Sequence, residues 1–206
     1  MLNESLMTNN IIDDTTKIVF AAGLVAKELH NGQLDKGGHN YFESHLLKVG
    51  LSGIDWKEQV VGFLHDAAED CDVTVDDVIE ILKAKVLELA NNTKENIQNE
   101  VWWEEWMKDI IQYPHETNHQ ICAEDYNELK TVLNLLNHHR VSSRKEYINQ
   151  ISENSLALRV KLHDLENNLD LSRIPNPTEK DYARIKRYQN EHQQLSEALS
   201  LKSSSM

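Results

Sequence analysis

Residues 63 to 70 read Phe-Leu-His-Asp-Ala-Ala-Glu-Asp. Four ionisable side chains, His65, Asp66, Glu69 and Asp70, thus follow an apolar run of Val60, Val61, Phe63 and Leu64. On a helix, Glu69 lies one turn beyond His65 and Asp70 one turn beyond Asp66, so the four form one polar patch on a largely apolar surface. Burying such groups without partners costs on the order of several kcal/mol. A cation with a bound water is a natural way to neutralise them.

Two other segments place polar groups where helical packing expects apolar ones. His45 lies in Tyr-Phe-Glu-Ser-His-Leu-Leu-Lys-Val, residues 41 to 49. Alone, it reads better as a hydrogen-bonded core histidine than as a ligand. Residues 156 to 171 read LALRVKLHDLENNLDL. Leu158, Leu162, Leu165 and Leu169 make a core stripe, while Lys161, Asp164 and Asn168 follow at spacings of three and four beside it. Alone, that second stripe reads as a solvated face with a Lys-Asp pair. Taken together, His45, His65, Asp66 and Asp164 make a mixed nitrogen and oxygen set suited to a borderline divalent ion such as Mn²⁺, Fe²⁺ or Zn²⁺. Water on such an ion loses its proton near neutral pH and can attack phosphorus. Glu69 and Asp70, one turn along, are placed to hold that water and accept its proton.

The elements that must position these residues read as helices throughout. With 7 Gly, 3 Pro and helical periodicity in segment after segment, the chain is expected to be all-α. The spacing predicts helices over 15–30 and 41–49, with a glycine-marked loop, 31–40, between them. A third helix begins near Trp56 and carries the His65-Asp66 motif. Thr74 with Asp77, and Thr178 with Asp181, read as capping boxes, the latter opening a last helix to about Leu199. Further helices are expected over 124–136 and 154–171. Residues 98–140, with Trp102, Trp103 and Trp106 close together and Pro114 breaking the run, read as an inserted helical hairpin. The tryptophans either pin that hairpin to the core or serve a homodimer contact or a substrate lid. Residues 1–206 are expected to form one domain, with 202–206 a frayed tail.

Composition narrows the partners. A formal net charge of −13 argues against a nucleic acid polymer or an anionic membrane, because both need clustered Lys and Arg. A small phosphorylated nucleotide remains compatible once a metal and a few local cations offset the repulsion. No apolar stretch reaches the ~18 residues of a membrane span, and residues 1–10 lack a signal-peptide pattern. The expectation is a cytoplasmic protein, with Cys71 and Cys122 as ordinary free thiols.

The order His45, then His65-Asp66, then Asp164 resembles the HD superfamily of metal-dependent phosphohydrolases. Three stretches narrow the likeness: HNGQLDKGGHNYFESHLLKV (30–49), HDAAED (65–70) and VKLHDLENNLDLSRIPNPTEKD (160–181). They are similar to the alarmone hydrolases, the ppGpp 3′-pyrophosphohydrolase domains of stringent-response enzymes and their small stand-alone relatives. The likeness covers about 15–95 and 145–200, and omits the tryptophan hairpin. It implies an HD-domain helical bundle, Mn²⁺ held by His45, His65, Asp66 and Asp164, and water activation by Glu69 and Asp70. It further implies nucleotide contacts from Lys36 and Asn168. Lys161 is a candidate either for phosphate charge or as a partner of Asp164. His163 reads as a helix neighbour and the pair His138-His139 as surface. Three positions depart from the alarmone pattern: Asp35 replaces an Arg, Leu46 a Pro, and His39-Asn40 an x-Pro pair. Removal of the 3′-pyrophosphate of ppGpp is therefore the first expectation and another nucleotide or small phosphoester the second. A non-catalytic metal and nucleotide sensor is the reading from a different class.

Overall fold

The computed structural model describes residues 13–91, 106–111 and 119–204. Among these, every regular element is a helix or a helical turn, so the all-α expectation holds. The first helix, α1 (Asp14–Leu29), starts where the Asp13 carboxylate accepts the Thr16 N–H at 2.8 Å. Ile18 to Ala22, Val25 and Ala26 are all buried, so neighbours surround α1 instead of flanking one stripe of it. It packs against α3 (Trp56–Leu64) and α5 (Val75–Asn91).

A π-helical turn, Phe42–Leu46, runs directly into α2 (Leu47–Ser52). This wider turn, a geometry that concentrates at functional sites, carries His45. Two glycines let α2 and α3 approach backbone to backbone. A Cβ on Gly62 would lie 2.9 Å from the Val49 carbonyl oxygen, and one on Gly50 would lie 2.7 Å from the Phe63 ring. That approach brings the His45 and His65 segments together.

The helix expected to run through the motif does not do so. α3 ends at Leu64, and a separate short helix, α4 (Ala67–Asp70), begins after Asp66, whose φ of −93° and ψ of −6° lie in the bridge region. The Asp66 carbonyl accepts the N–H groups of Glu69 at 3.0 Å and Asp70 at 2.9 Å, so its backbone opens α4 while its side chain makes no capping bond. On a continuous helix, neighbouring side chains point ~100° apart and the pair could not share a site. The break removes that obstacle.

The second half contains α6 (Met107–Ile111), α7 (Ala123–Leu136), α8 (Arg144–Glu153), α9 (Ser155–Leu169) and α10 (Glu179–Ser203). Single 3-10 turns, His138–Arg140 and Leu171–Arg173, follow α7 and α9. α7 packs on α3, α5 and α9 through Leu129, Val132, Leu133 and Leu136, so this part of the expected insertion is built into the main core. Trp106 is buried against Phe42 and Phe63, and a Cβ on Gly23 would overlap its indole, so it pins α6 to α1. Trp102, Trp103 and Pro114 lie outside the described residues.

Both expected capping boxes form, Thr74 with Asp77 and Thr178 with Asp181. Two expectations need correction. α8 was not anticipated, although Ser143 caps it by accepting the Glu146 N–H and Tyr147, Ile148 and Ile151 form its buried face. The expected frayed tail begins too early, since α10 continues to Ser203 and Lys202 Nζ donates to the Glu153 carbonyl at 3.1 Å.

Candidate metal centre

The π-turn, the α3–α4 break and the middle of α9 converge on one point. His45 Nε2 lies 3.4 Å from His65 Nε2, and Asp164 Oδ1 lies 3.3 Å from the first and 3.7 Å from the second. These three buried residues offer ligand atoms all within 4.8 Å of one another and could hold a metal ion. Asp66 Oδ2 adds a further oxygen at 3.2 Å from His45 Nε2 and 3.1 Å from His65 Nε2. Ligands ~2.1 Å from a common ion stand roughly 3.0 to 3.4 Å apart in octahedral or tetrahedral arrangement. Most of the observed spacings fall in or near that range.

The contacts behind the ligands set their orientation. His65 Nδ1–H donates to the Gly62 carbonyl at 2.9 Å, which leaves Nε2 as the free ring nitrogen. His45 Nδ1–H donates to Asn167 Oδ1 at 2.7 Å, and the Asn167 amide nitrogen in turn reaches the Ser44 carbonyl at 3.4 Å, which fixes the amide's orientation. Both Nε2 lone pairs therefore face each other with two carboxylate oxygens beside them. Four acceptors aimed at one buried point require positive charge there, supplied by protons or by a cation. The tautomer fixed by the outer hydrogen bond is the one that histidine needs as a metal ligand.

The carboxylates are held as firmly. Lys161 Nζ donates to Asp164 Oδ2 at 2.6 Å and Asn168 Nδ2 to Asp164 Oδ1 at 2.5 Å. Tyr41 Oη donates to Asp66 Oδ2 at 2.6 Å. Burial alone would raise the Asp164 carboxyl, but the Lys161 ammonium and the two imidazoles hold it well below the usual range. Asp66 is lowered in the same way: the His65 charge and the hydrogen bonds of both imidazoles outweigh burial. Burial would lower His45, but Asp164 and Asp66 push it up to about 9, and His65 is raised by the same two carboxylates. Such proton affinity marks a pocket built for positive charge. The Asp66 side chain is 16% exposed against 6% for Asp164 and 2% for each imidazole, so the centre opens to solvent on the Asp66 side.

The remaining residues singled out from sequence fall at different distances from this centre. Lys161 is buried and bonded to Asp164, so the partner reading describes it, and the solvated-face reading of its stripe is wrong. Asn168 is likewise engaged with Asp164. Glu69 lies on α4 with both oxygens accepting from His138, and exposed Asp70 accepts from Gln33 Nε2 at 3.2 Å. Lys36 is exposed in the turn closed by the Leu34–Asn40 bridge. Asp35 is folded into that turn, accepting the Gly37 and His39 N–H groups and pairing with Arg173 at 3.2 Å. His163 stands 3.6 Å from Glu58, away from the ligands. Cys71 and Cys122 are free thiols.

Compared with known proteins, the chain matches no family model and no curated sequence. The site's chemistry therefore rests on its own geometry. Sequence reasoning missed Tyr41, Asn167, Arg173 and His138. Tyr41 stands four residues before His45, the spacing of helix neighbours, and Asn167 adjoins Asn168 in the same stretch; both signals were readable. His138 and Arg173 carried no such local signal. No helix among the described residues is long and apolar enough to cross a membrane.

Proposed function

We propose that the chain is a metal-dependent phosphohydrolase of HD type, and that its reaction is removal of the 3′-pyrophosphate of ppGpp. The observation that carries this reading is the paired tautomer control: both Nδ1 atoms are tied to acceptors, so both Nε2 atoms meet Asp164 and Asp66 at one buried point. His45, His65, Asp164 and Asp66 would hold a divalent ion, Mn²⁺ by likeness and Fe²⁺ or Zn²⁺ by donor chemistry. Such an ion acidifies a water and polarises a phosphoryl oxygen.

The chain's own groups do the rest. Glu69 opens its side chain from the first turn after Asp66 and is 14% exposed, which suits a group that takes the water's proton. A carboxylate has about four lone-pair sites, so the two bonds from His138 leave it capacity for a third donor. Asp70 stands beside it at the solvent edge. Lys161 offsets the charge of Asp164 from behind, and Asn168 keeps Asp164 Oδ1 turned to the imidazoles. Lys36, exposed in its turn, is a cation that could meet a nucleotide phosphate.

Asp35 favours a second reading, hydrolysis of another phosphorylated nucleotide or small phosphoester, because its carboxylate stands where alarmone hydrolases place an Arg. The test is metal analysis of the purified protein, then a Mn²⁺-dependent hydrolysis screen over ppGpp, pppGpp, ordinary nucleotides and sugar phosphates. Release of pyrophosphate from ppGpp supports the first reading, and turnover of another nucleotide alone supports the second. Metal and nucleotide binding without turnover would make the protein a sensor. Absence of both metal and turnover refutes the enzyme.

A further inference from the structure

The turn His138–Arg140 reads from sequence as plain surface, yet it is docked on the motif helix α4. Asn137 Nδ2 donates to the Ala68 carbonyl at 3.4 Å. The His138 backbone N–H donates to Glu69 Oε1 at 2.5 Å, and its Nδ1–H donates to Glu69 Oε2 at 2.6 Å. One residue thus grips both oxygens of one carboxylate. The grip is itself braced: the Tyr147 ring meets the His138 ring edge-on at 6.2 Å, and the His139 ring lies over it at 4.1 Å. Tyr147 Oη donates to the Leu136 carbonyl at 2.7 Å, which fixes the end of α7 just ahead of the turn.

We propose that His138 is a positioning residue for Glu69, holding its carboxylate in one orientation toward the centre before substrate arrives. The inference rests on the role given to Glu69 in the proposed hydrolysis. A glutamate carries several rotamers, and each one frozen in advance is freedom that need not be lost at the moment of reaction. A side-chain contact from a segment 69 residues away does this, and the His138 side chain itself stays 43% exposed. The grip needs a donor at the Nδ1 position, and an asparagine amide supplies one there.

The experiment compares wild type, His138→Ala and His138→Asn with ppGpp and, should another substrate of the panel be the one hydrolysed, with that nucleotide. His138→Ala is expected to lower kcat by about 10- to 100-fold with KM changed less than about twofold, the signature of a misplaced reacting group. His138→Asn should recover kcat to within about threefold of wild type. Mn²⁺ affinity, read by calorimetry, should be the same in all three. In the metal-free protein, ¹⁵N NMR should show a protected Nδ1–H on His138 that is lost in Glu69→Ala. A His138→Ala protein that keeps its kcat, or an asparagine variant as slow as alanine, overturns the inference alone. A loss of Mn²⁺ affinity that tracks kcat overturns it too, since the residue would then be holding up the centre as a whole. A wild type that binds Mn²⁺ but hydrolyses nothing removes the proposed function and this inference with it.

Discussion

Asn167→Ala isolates the support behind one ligand without touching the ligand. Asn167 Oδ1 accepts His45 Nδ1–H at 2.7 Å, a short bond in a part-buried setting. Its loss leaves the buried ring without its acceptor, and the ring is then free to rotate or to place its proton on Nε2, the atom that faces the centre. The hydrogen bond itself contributes about 0.5–1.5 kcal/mol. The added cost of an unfixed tautomer brings such outer partners to a 10- to 100-fold effect on metal affinity, or ~1.4–2.7 kcal/mol. Mn²⁺ titration calorimetry on Asn167→Ala should fall in that interval. Asn167→Asp, which keeps the acceptor and adds charge, should bind at least as tightly as wild type. An Asn167→Ala protein with undiminished Mn²⁺ affinity would refute the claim that the Nδ1 contact prepares His45 as a ligand.

Three further outcomes follow from the packing. Mn²⁺ at about 100 times its Kd should stabilise the folded protein by ~2.7 kcal/mol, a rise of roughly 5–10 °C in Tm, and calorimetric scans of His65→Ala should show no such rise. Gly23→Ala drives a methyl group into the Trp106 indole and should cost about 1–3 kcal/mol in urea unfolding, with part of it regained in Gly23→Ala/Trp106→Phe. Although burial opposes it, hydrogen bonds from the Cys122 N–H, His119 and Lys57 hold the Asp125 carboxyl well below the usual range. A carboxylate depressed by folding contributes stability above its unfolded pKa of about 3.9 and loses it as pH falls further. Asp125→Ala should therefore cost about 2 kcal/mol at pH 7, and the gap to wild type should shrink as the pH drops below about 4.

Local signals in the sequence were legible and long-range ones were not. The caps at Thr74 and Thr178 need only residues three apart, and both formed as read. His45, His65 and Asp164 were found because each is a charge or imidazole in an apolar context, and burial brought them together. The break at His65-Asp66 was invisible because neither a glycine nor a proline marks it. The helix yields where the pair faces one site with His45 of the π-turn and Asp164 of α9. Tyr41 and Asn167 find partners 25 and 122 residues away, and His138 finds Glu69 across 69; the placing of the first two beside the site was readable, but the partner of each was not. α8 escaped notice because it is strongly polar, its buried face coming down to Tyr147, Ile148 and Ile151.

Asp35 separates what the centre needs from what a substrate needs. Its Oδ1 accepts two N–H groups of its own turn, at 2.8 and 2.9 Å, and its Oδ2 pairs with Arg173 Nη1 at 3.2 Å. The same guanidinium donates to the carbonyls of Ser44 at 3.1 Å and Asn167 at 3.0 Å. Ser44 precedes His45 in the π-turn, and Asn167 is the residue that holds the His45 ring, so one ion pair ties the loop to both supports of a ligand. Two carbonyls and a carboxylate engage the Nη1 and Nη2 groups of the Arg173 fork, a geometry that lysine could not reproduce, while its Nε is buried without a partner. An arginine at position 35 would set two guanidiniums against each other and release the turn. The aspartate thus has a structural part to play through Arg173 and the His45 turn, whatever its replacement of an arginine does to substrate choice. On the proposed function, bond cleavage goes with the ligand set that this scaffold braces. On the same reading, choice of nucleotide falls to the exposed side of the turn, where Lys36 stands next to the carboxylate that replaces the alarmone hydrolases' arginine.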